Sequence, residues 1–430
     1  MSGTGAHVWK TVSTIERADL DGQVVLYDPT RQQAHLLNTT ATAILACIDG
    51  IADTTEITRT LSHLFHLPAA HIEADVARTV EQLADRRLIH RADAEPPAAE
   101  ETGPDAAMAM GEHHGVVPVL ATTSDRPTGP WTFTSPTFAA LDLRFAILTN
   151  DHELGLYLTG VLTDLIVPEP PHLWYAVERQ PPTDAAAASP GTDSYDLRLG
   201  SGSPSLSARS LSAVIGRLLW DYNHRAITTA TAPLLLHASA ASTAAGAVIC
   251  PAPADSGKST LITALVQHGF GYLTDECAAI DARTMSVRCY PKPIGLDPGA
   301  WPLFPDLVVA DRRQPTKAWL PASTLTARPD QPPTRSPGTA PRPVPGTVIP
   351  IAAIVFNHYS SGGGATRAER LAPADVVARL ARNTFRLAER PREGLGFLAE
   401  IAASVPAYDL PVDDLGVACS AIDALLLADR

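Results

Sequence analysis

The chain has few cysteines, and they show no pattern that would hold a metal ion or pair as disulfides. Its five cysteines are odd in number and scattered over 430 residues, without a C-x-x-C pair. This usage is typical of a reducing compartment, so we expect a cytoplasmic protein. Cys250 and Cys277 lie inside apolar runs. We expect both to be buried core residues rather than nucleophiles.

The sequence also lacks an excess of basic residues. Its formal net charge is -13, and affinity for nucleic acid depends largely on Lys and Arg neutralising phosphates. No nucleic-acid partner is therefore expected. The first ten residues contain no apolar run, so no signal peptide is predicted. The apolar stretch at residues 233–250 includes several polar residues, which favours two buried strands over a membrane span, and no membrane partner is expected.

The first ninety residues predict a small α+β unit. Apolar runs at 23–27 and 34–38 flank the turn residues Asp28 and Pro29, which is a hairpin signal. Asn38 and Asp53 are placed to cap two helices. A third helix follows, with an apolar stripe from residue 72. A hairpin with three helices predicts a winged-helix-like domain.

Within that unit, Tyr27-Asp-Pro and the segment 35–41, His-Leu-Leu-Asn-Thr-Thr-Ala, resemble the PqqD-like family of peptide-recognition elements. The resemblance implies that the leader of a ribosomally made precursor peptide adds as a strand to the hairpin edge, against the third helix. The matching residues are Ala34, His35, Leu36, Leu37, Arg78 and Gln82. A DNA-binding winged helix is the alternative. It is disfavoured because the exposed face of the third helix is mixed in sign.

The strongest chemical signal is the segment 252–260, Ala-Pro-Ala-Asp-Ser-Gly-Lys-Ser-Thr. An apolar strand precedes it and an apolar-periodic helix follows, which is the setting of a phosphate-binding loop. We expect it to bind ATP, or another nucleoside triphosphate, with Mg²⁺. Lys258 would reach the terminal phosphates and the Ser259 hydroxyl would ligate the metal. The predicted nucleotide-binding residues here are Ala254, Asp255, Ser256, Gly257, Lys258, Ser259 and Thr260.

The loop departs from the usual pattern at its start. Ala252 stands where glycine is usual, and Pro253 removes one N–H donor. Nucleotide affinity is therefore expected to be modest. A Gly-Lys-Ser that only begins a helix is the alternative.

Two adjacent acids, Asp275 and Glu276, follow the next predicted strand. One can accept a proton while the other holds Mg²⁺, provided that the strand ends there, since alternation would otherwise point them to opposite faces. A solvated strand end is the alternative. His237 ends an apolar run upstream, and a lone histidine there is more often a core residue than a catalyst.

The order His237, Gly-Lys-Ser at 257–259, Asp275-Glu276 and Pro-Lys292-Pro is similar to that of the HPr kinase/phosphorylase catalytic domain. The resemblance covers the chain from about residue 119. It implies that Asp275 is the general base with His237 tuning it. It also implies that Lys258 holds phosphates, that Ser259 and Glu276 hold Mg²⁺, and that Lys292 approaches the nucleotide. Two interpretations remain for the late arginines Arg367, Arg382 and Arg386. They could neutralise charge in the transition state, or they could be surface residues of helices.

These signals together predict an α/β protein, with a P-loop HPr-kinase-like mixed sheet, flanking helices and a small N-terminal winged-helix-like α+β domain. The predicted domains are a recognition domain at 1–92, a flexible linker at 93–115, a β-rich segment at 116–230 and a catalytic domain at 231–430 with a mobile Pro-rich loop at 324–350.

The predicted function is a kinase that captures a precursor peptide by its leader and phosphorylates a Ser or Thr hydroxyl of its core. Tethering would raise the local acceptor concentration to about millimolar. The sequence leaves open whether the protein also binds other peptide-modifying enzymes or a second copy of itself. The alternatives are a leader-binding chaperone with a decayed kinase fold, ATP-dependent activation of a peptide carboxylate, and a regulatory kinase acting on a folded carrier protein.

Overall fold

The computed structural model describes most of the chain. The described residues are 7–20, 23–94, 123–180, 194–199, 206–208, 210–253, 256–308, 317–325, 344–359 and 367–428. Two predicted nucleotide-binding residues, Ala254 and Asp255, lie outside them. So do most of the linker predicted at 93–115 and most of the Pro-rich loop predicted at 324–350.

The mixed α/β class is confirmed by the element order. The helices are α1 (Thr39–Ala46), α2 (Thr54–Phe65), α3 (Ala69–Asp85), α4 (His152–Val161), α5 (Leu211–Thr229), α6 (Lys258–Gln267), α7 (Pro373–Arg382), α8 (Pro391–Ser404) and α9 (Leu415–Ala428). The strands are β1 (Trp9–Thr11), β2 (Glu16–Leu20), β3 (Gln23–Asp28), β4 (Gln33–Leu37), β5 (Ile89–Arg91), β6 (Phe133–Thr134), β7 (Thr137–Ala140), β8 (Leu143–Thr149), β9 (Ile166–Val167), β10 (Leu173–Gln180), β11 (Ser194–Leu199), β12 (Leu206–Ala208), β13 (Leu234–Thr243), β14 (Gly246–Pro251), β15 (Gly271–Thr274), β16 (Cys277–Asp281), β17 (Ser286–Arg288), β18 (Ile294–Leu296), β19 (Ala318–Leu320), β20 (Val348–Tyr359), β21 (Glu369–Arg370), β22 (Thr384–Phe385) and β23 (Ala407–Val412).

The chain divides into two compact units. One comprises Met1–Met110 and Arg370–Ala407, and the other comprises Gly111–Glu369 and Tyr408–Arg430. We call them the recognition unit and the catalytic unit, after the predictions for their largest segments. The predicted domains differ from this division at residues 370–407, which the sequence placed with the catalytic domain.

Local sequence signals set the helices of the recognition unit. The Asn38 side chain accepts a hydrogen bond from the Ala41 N–H and caps α1, while Asp53 accepts one from Glu56 N–H and caps α2. The apolar stripe of α3 is buried against the same core, as its spacing predicts. The predicted hairpin is present as β3 and β4, joined antiparallel.

Strand β3, the central strand of the β2-β3-β4 sheet in the recognition unit, is buried on both faces. Val24 and Leu26 of β3 pack into the core that α1, α2 and α3 share. Val25 and Tyr27 point to the opposite face by strand alternation, and they too are buried. Helix α7 packs against β3 and β4, and α8 packs against β2. The helix pair α7–α8 is therefore an integral layer of the recognition unit.

In the catalytic unit, the segment predicted as β-rich forms its own sheet. Among the described residues its strand order is β12-β11-β10-β8-β7-β9, with β6 paired to β8. Strands β8 and β10 run parallel, and the other pairs are antiparallel. Helix α5 packs against this sheet. Asp142, next to β8, pairs with Arg288 at the end of β17 at 2.6 Å, so the segment is joined to the larger sheet.

The larger sheet of the catalytic unit carries the predicted chemical residues. Its path begins β14-β13-β16-β17-β20. Strand β14 also pairs in parallel with β20. The stretch at 233–250 forms β13 and β14, the two buried strands that its composition predicts. Strand β20 begins at Val348, within the last residues of the predicted Pro-rich loop.

One further expectation concerns burial. Cys250 and Cys277 are fully buried, as predicted for core residues. No helix in the described part of the chain is long and apolar enough to cross a membrane.

Candidate functional site

The predicted phosphate-binding segment is a strand, a loop and a helix in the catalytic unit. Strand β14 ends at Pro251, and α6 begins at Lys258. Gly257 precedes the helix with φ of +84°, a left-handed conformation that costs other residues energy. This glycine directs the chain into α6. The first turn of α6 therefore presents its backbone N–H groups toward the end of the loop, where an anion is favoured.

Lys258 is held close to the loop. Its ammonium donates hydrogen bonds to the carbonyl oxygens of Ala252, at 2.8 Å, and Pro253, at 2.5 Å. The residue is buried. Ser256 also bonds to the Pro253 carbonyl, through its hydroxyl, at 2.7 Å. The Lys258 ammonium is therefore placed over the loop, where it can reach a bound phosphate by exchanging these carbonyl contacts.

Asp275 meets the first turn of α6. Ser259 donates its hydroxyl hydrogen bond to Asp275 Oδ2 at 2.7 Å. Strand β15 ends at Thr274 and β16 begins at Cys277, so the acids stand at a break between strands. This is the condition under which both acids can serve one site.

Glu276 lies next to two basic side chains. Lys292 donates to Glu276 Oε2 at 2.9 Å, and His237 Nε2 lies 3.7 Å from Glu276 Oε1. The structure therefore brings His237, Glu276 and Lys292 together, close enough to Lys258 and Asp275 for their charges to influence one another.

Burial and neighbouring charges separate the pKa values of the two acids. Burial raises the pKa of Asp275 to about 6, against the opposing influence of Lys292 and Ser259. Burial also acts to raise the pKa of Glu276, but Lys292 and His237 outweigh it and the pKa is lowered. Burial, with Lys258 assisting, lowers the pKa of His237 to about 4. Near neutral pH the site therefore holds a neutral imidazole, an ionised Glu276 and an Asp275 poised to exchange a proton.

The raised pKa of Asp275 predicts a pH-dependent stability gain for Asp275→Asn. The unfolded carboxyl ionises near 3.8 and the folded one near 6, so the wild type loses stability as pH rises between those values. The loss is on the order of 3 kcal/mol. Asparagine removes the titration. We expect the free energies of unfolding of the two proteins, measured with urea, to differ increasingly in favour of the variant up to about pH 6. Above that pH the difference should stay constant. A constant difference at every pH would contradict the assignment.

Ser239 has no role in the sequence analysis, but the structure places it beside the two acids. The β13 register pairs Ala240 with Thr274 and His237 with Cys277, which sets Ser239 opposite Asp275. Within the described residues, neither Ser239 Oγ nor Asp275 Oδ1 has a hydrogen-bond partner, and both atoms are buried. Unpaired buried polar atoms are costly, so neither atom contributes to the stability of the fold.

The donor set fits Mg²⁺ held jointly with phosphates. No cluster of three or more His, Cys, Asp or Glu side chains suited to a metal ion occurs among the described residues. Magnesium commonly takes only one or two protein carboxylates and completes its shell with water and phosphate oxygens. Ser259 offers a hydroxyl oxygen of that kind beside Asp275, to which it is bonded at 2.7 Å. Glu276, the acid that the sequence assigns to the metal, accepts a hydrogen bond from Lys292 at 2.9 Å, and its part in metal binding stays a prediction.

The predicted peptide-binding residues lie in the recognition unit. Ala34 and Leu37 of β4 are buried, while His35 and Leu36 are partly exposed. Arg78 and Gln82 are exposed on α3, and Arg78 pairs with Asp75 at 2.5 Å. At the β4 edge, Arg382 of α7 donates a hydrogen bond to the Ala34 carbonyl at 3.4 Å.

The three late arginines also have defined places. Arg382 and Arg386 belong to the recognition unit, and Arg386 pairs with Glu389 at 2.9 Å. Arg367 belongs to the catalytic unit. Sequence reasoning missed the role of Arg382 in the recognition unit, because no local pattern links residue 382 to residue 34.

Comparison with known proteins identifies the N-terminal domain. Residues 23–89 match the model of the family described as coenzyme PQQ synthesis protein D (PqqD). The chain therefore contains a PqqD-like domain, as its strand and turn residues indicated. A solved structure of TbiB1 in complex with the TbiA(beta) leader peptide is similar to part of it, with 18% identity over 19% of this chain and 94% of that chain and a TM-score of 0.18. No curated protein matches the sequence.

Proposed function

We propose that the protein is an ATP-dependent kinase that binds a ribosomally made precursor peptide by its leader and phosphorylates a Ser or Thr hydroxyl in its core. The observation that carries the chemistry is the 2.7 Å bond between Ser259 and Asp275 at the start of α6. It joins the residue suited to Mg²⁺ with an acid whose pKa is about 6. A base with a pKa near the working pH is well matched to accept a hydroxyl proton.

Each side chain has a defined part in the proposed transfer. The α6 N-terminus and Lys258 would hold the triphosphate, and Mg²⁺ would neutralise its charge beside Ser259. Asp275 would take the proton as the acceptor oxygen attacks the terminal phosphorus and the nucleoside diphosphate leaves. His237, with a low pKa, would stay neutral and add no positive charge near the acids.

The PqqD-like domain supports the choice of substrate. Elements of this family are expected, from the resemblance set out above, to hold a leader peptide as an added strand. Fusion of such a domain to a phosphate-transfer site favours a tethered peptide acceptor. It favours a folded carrier protein less, because a folded carrier has no need of a leader-binding element.

Glu276→Gln tests how the acids divide their work. We expect the magnesium concentration for half-maximal phosphate transfer to rise about tenfold, because removing the charge beside the metal site weakens metal binding. Nucleotide affinity measured without magnesium should change little. An unchanged magnesium requirement would instead assign Glu276 only to orienting Lys292, to which it bonds at 2.9 Å.

The proposal is tested by the intact mass of the precursor peptide encoded beside the gene, after incubation with the protein, ATP and Mg²⁺. The expected result is a stable gain of one phosphate, absent with Lys258→Ala. Condensation or amidation of the peptide would favour carboxylate activation. Tight peptide binding without ATP binding or mass change would favour the chaperone.

A further inference from the structure

The outer edge of β4 is engaged by a residue from the far end of the sequence. In an antiparallel strand the N–H and C=O of one residue point to the same side, and successive residues alternate. The Ala34 carbonyl accepts a hydrogen bond from Arg382, so it points away from β3. Leu36, two residues on, presents its backbone to the same outer side. This is the row of groups that an added peptide strand would use.

The charge around this edge is positive. His35 lies between Ala34 and Leu36, and its pKa is lowered by burial and by the guanidinium groups of Arg86 and Arg382, with Asp28 opposing. Asp28 is already paired with Arg31 at 2.7 Å. Arg86 follows the end of α3 and Arg382 ends α7. Two guanidinium groups, from residues 86 and 382, therefore lie close enough to His35 of β4 for their charges to lower its pKa.

Arg382 is held in place by the packing of α7. The helix buries a continuous apolar face, and it packs against β3 and β4. Its last turn carries Arg382 to the strand edge, and arginine is favoured at a helix C-terminus by the helix dipole. The guanidinium therefore has a defined position rather than a freely sampled one.

We propose that Arg382 reads an acidic side chain of the bound peptide strand, an inference that rests on the leader binding proposed above. An incoming strand needs the Ala34 carbonyl for its own backbone N–H. Arg382 would yield that carbonyl and pair with a carboxylate on the strand, because guanidinium and carboxylate groups form charge-assisted, bidentate bonds. Arg86 lies near the same strand and would reinforce the preference for an acid.

The arrangement also gives the residue a second effect on the edge. An incoming strand must displace Arg382 from the Ala34 carbonyl. A strand without an acid at the matching position gives the displaced guanidinium no new partner. A strand with the acid recovers a stronger bond for the guanidinium. The edge therefore selects for acidic peptides by attraction and against neutral ones by competition.

The test uses full-length protein and fluorescent synthetic peptides that tile the precursor peptide encoded beside the gene, with affinity measured by anisotropy. The tightest tile is then remade with each Asp or Glu changed singly to its amide and to Lys. Arg382→Gln is expected to weaken binding of the original tile about fivefold. One tile with an acid changed to its amide should bind the wild type about as weakly as the original tile binds Arg382→Gln. Arg382→Gln should bind that amide tile no more weakly than it binds the original tile. The Lys version of that position should bind Arg382→Glu better than the original tile does.

Arg392→Gln is the matched control, because it removes the same charge from α8, which packs against β2 rather than β4. It should leave every affinity unchanged. Equal or tighter binding by Arg382→Gln would overturn the inference while leaving leader binding intact. A loss that no single acid of the peptide reproduces would also overturn it. If no tile binds the wild type, leader recognition itself fails, and this inference falls with it.

Discussion

Asp275→Asn is expected to lower the rate of phosphate transfer to the peptide by about a thousandfold. Asparagine has nearly the same shape and can still accept the hydrogen bond that Ser259 makes at 2.7 Å. The amide cannot take up the proton that the peptide hydroxyl releases. Nucleotide affinity should therefore stay within a few-fold of the wild type, so the loss should appear in kcat rather than in KM.

The same variant should remove the acidic limb of the pH profile. In the wild type, kcat/KM is expected to fall below about pH 6, where Asp275 becomes protonated. The residual rate of the variant should not follow that limb. Asp281→Asn is the matched control, since Asp281 ends β16 of the same unit and has no proposed part in transfer. Loss of nucleotide binding by Asp275→Asn, or a rate equal to the wild type, would contradict the role of general base.

Tyr27→Ala is expected to destabilise the recognition unit by about 3–5 kcal/mol. Tyr27 is 2% exposed, and burial followed by the Asp28 charge raises its pKa to about 12. Its ring lies on the sheet face opposite the α1–α3 core, the side that α7 and α8 cover. Removing it leaves a cavity in that layer.

Hydrogen exchange in two parts of the protein separates loss of the whole layer from a local change around residue 27. Hydrogen exchange of the full-length protein should show lost protection in β3, β4, α7 and α8 together, because these elements form one layer. Exchange in the larger sheet of the catalytic unit should stay near wild type. Glu16→Ala on β2, which removes a partly exposed side chain, serves as the control and should change little. Lost protection in β3 and β4 with α7 and α8 unaffected would contradict the two-sided packing.

Much of the recognition unit was predictable because its signals are local. The caps at Asn38 and Asp53 and the stripe of α3 depend on residues three or four positions apart. The attachment of α7 and α8 was not predictable in this way, since their partners lie more than 300 residues earlier. One signal was present: the unbroken apolar run at residues 24–27 is typical of a strand buried on both faces.

The catalytic unit shows the same division. The order of Lys258, Ser259 and Asp275 predicted their convergence, and the Ser259–Asp275 bond is consistent with it. The engagement of Glu276 by Lys292 and His237 depends on how strands from separate hairpins meet. Spacing alone does not encode that geometry. The position of Ser239 opposite Asp275 likewise required the strand register.

The central claim is that leader capture and phosphate transfer work together in one chain. The most direct test compares the initial rate of phosphorylation of the full precursor peptide with that of its core alone, both at micromolar concentration with ATP and Mg²⁺. The account predicts that the full peptide is phosphorylated on a Ser or Thr of the core at least about a hundredfold faster, because tethering raises the local acceptor concentration. Equal rates for both peptides, or no phosphate on either, would contradict it.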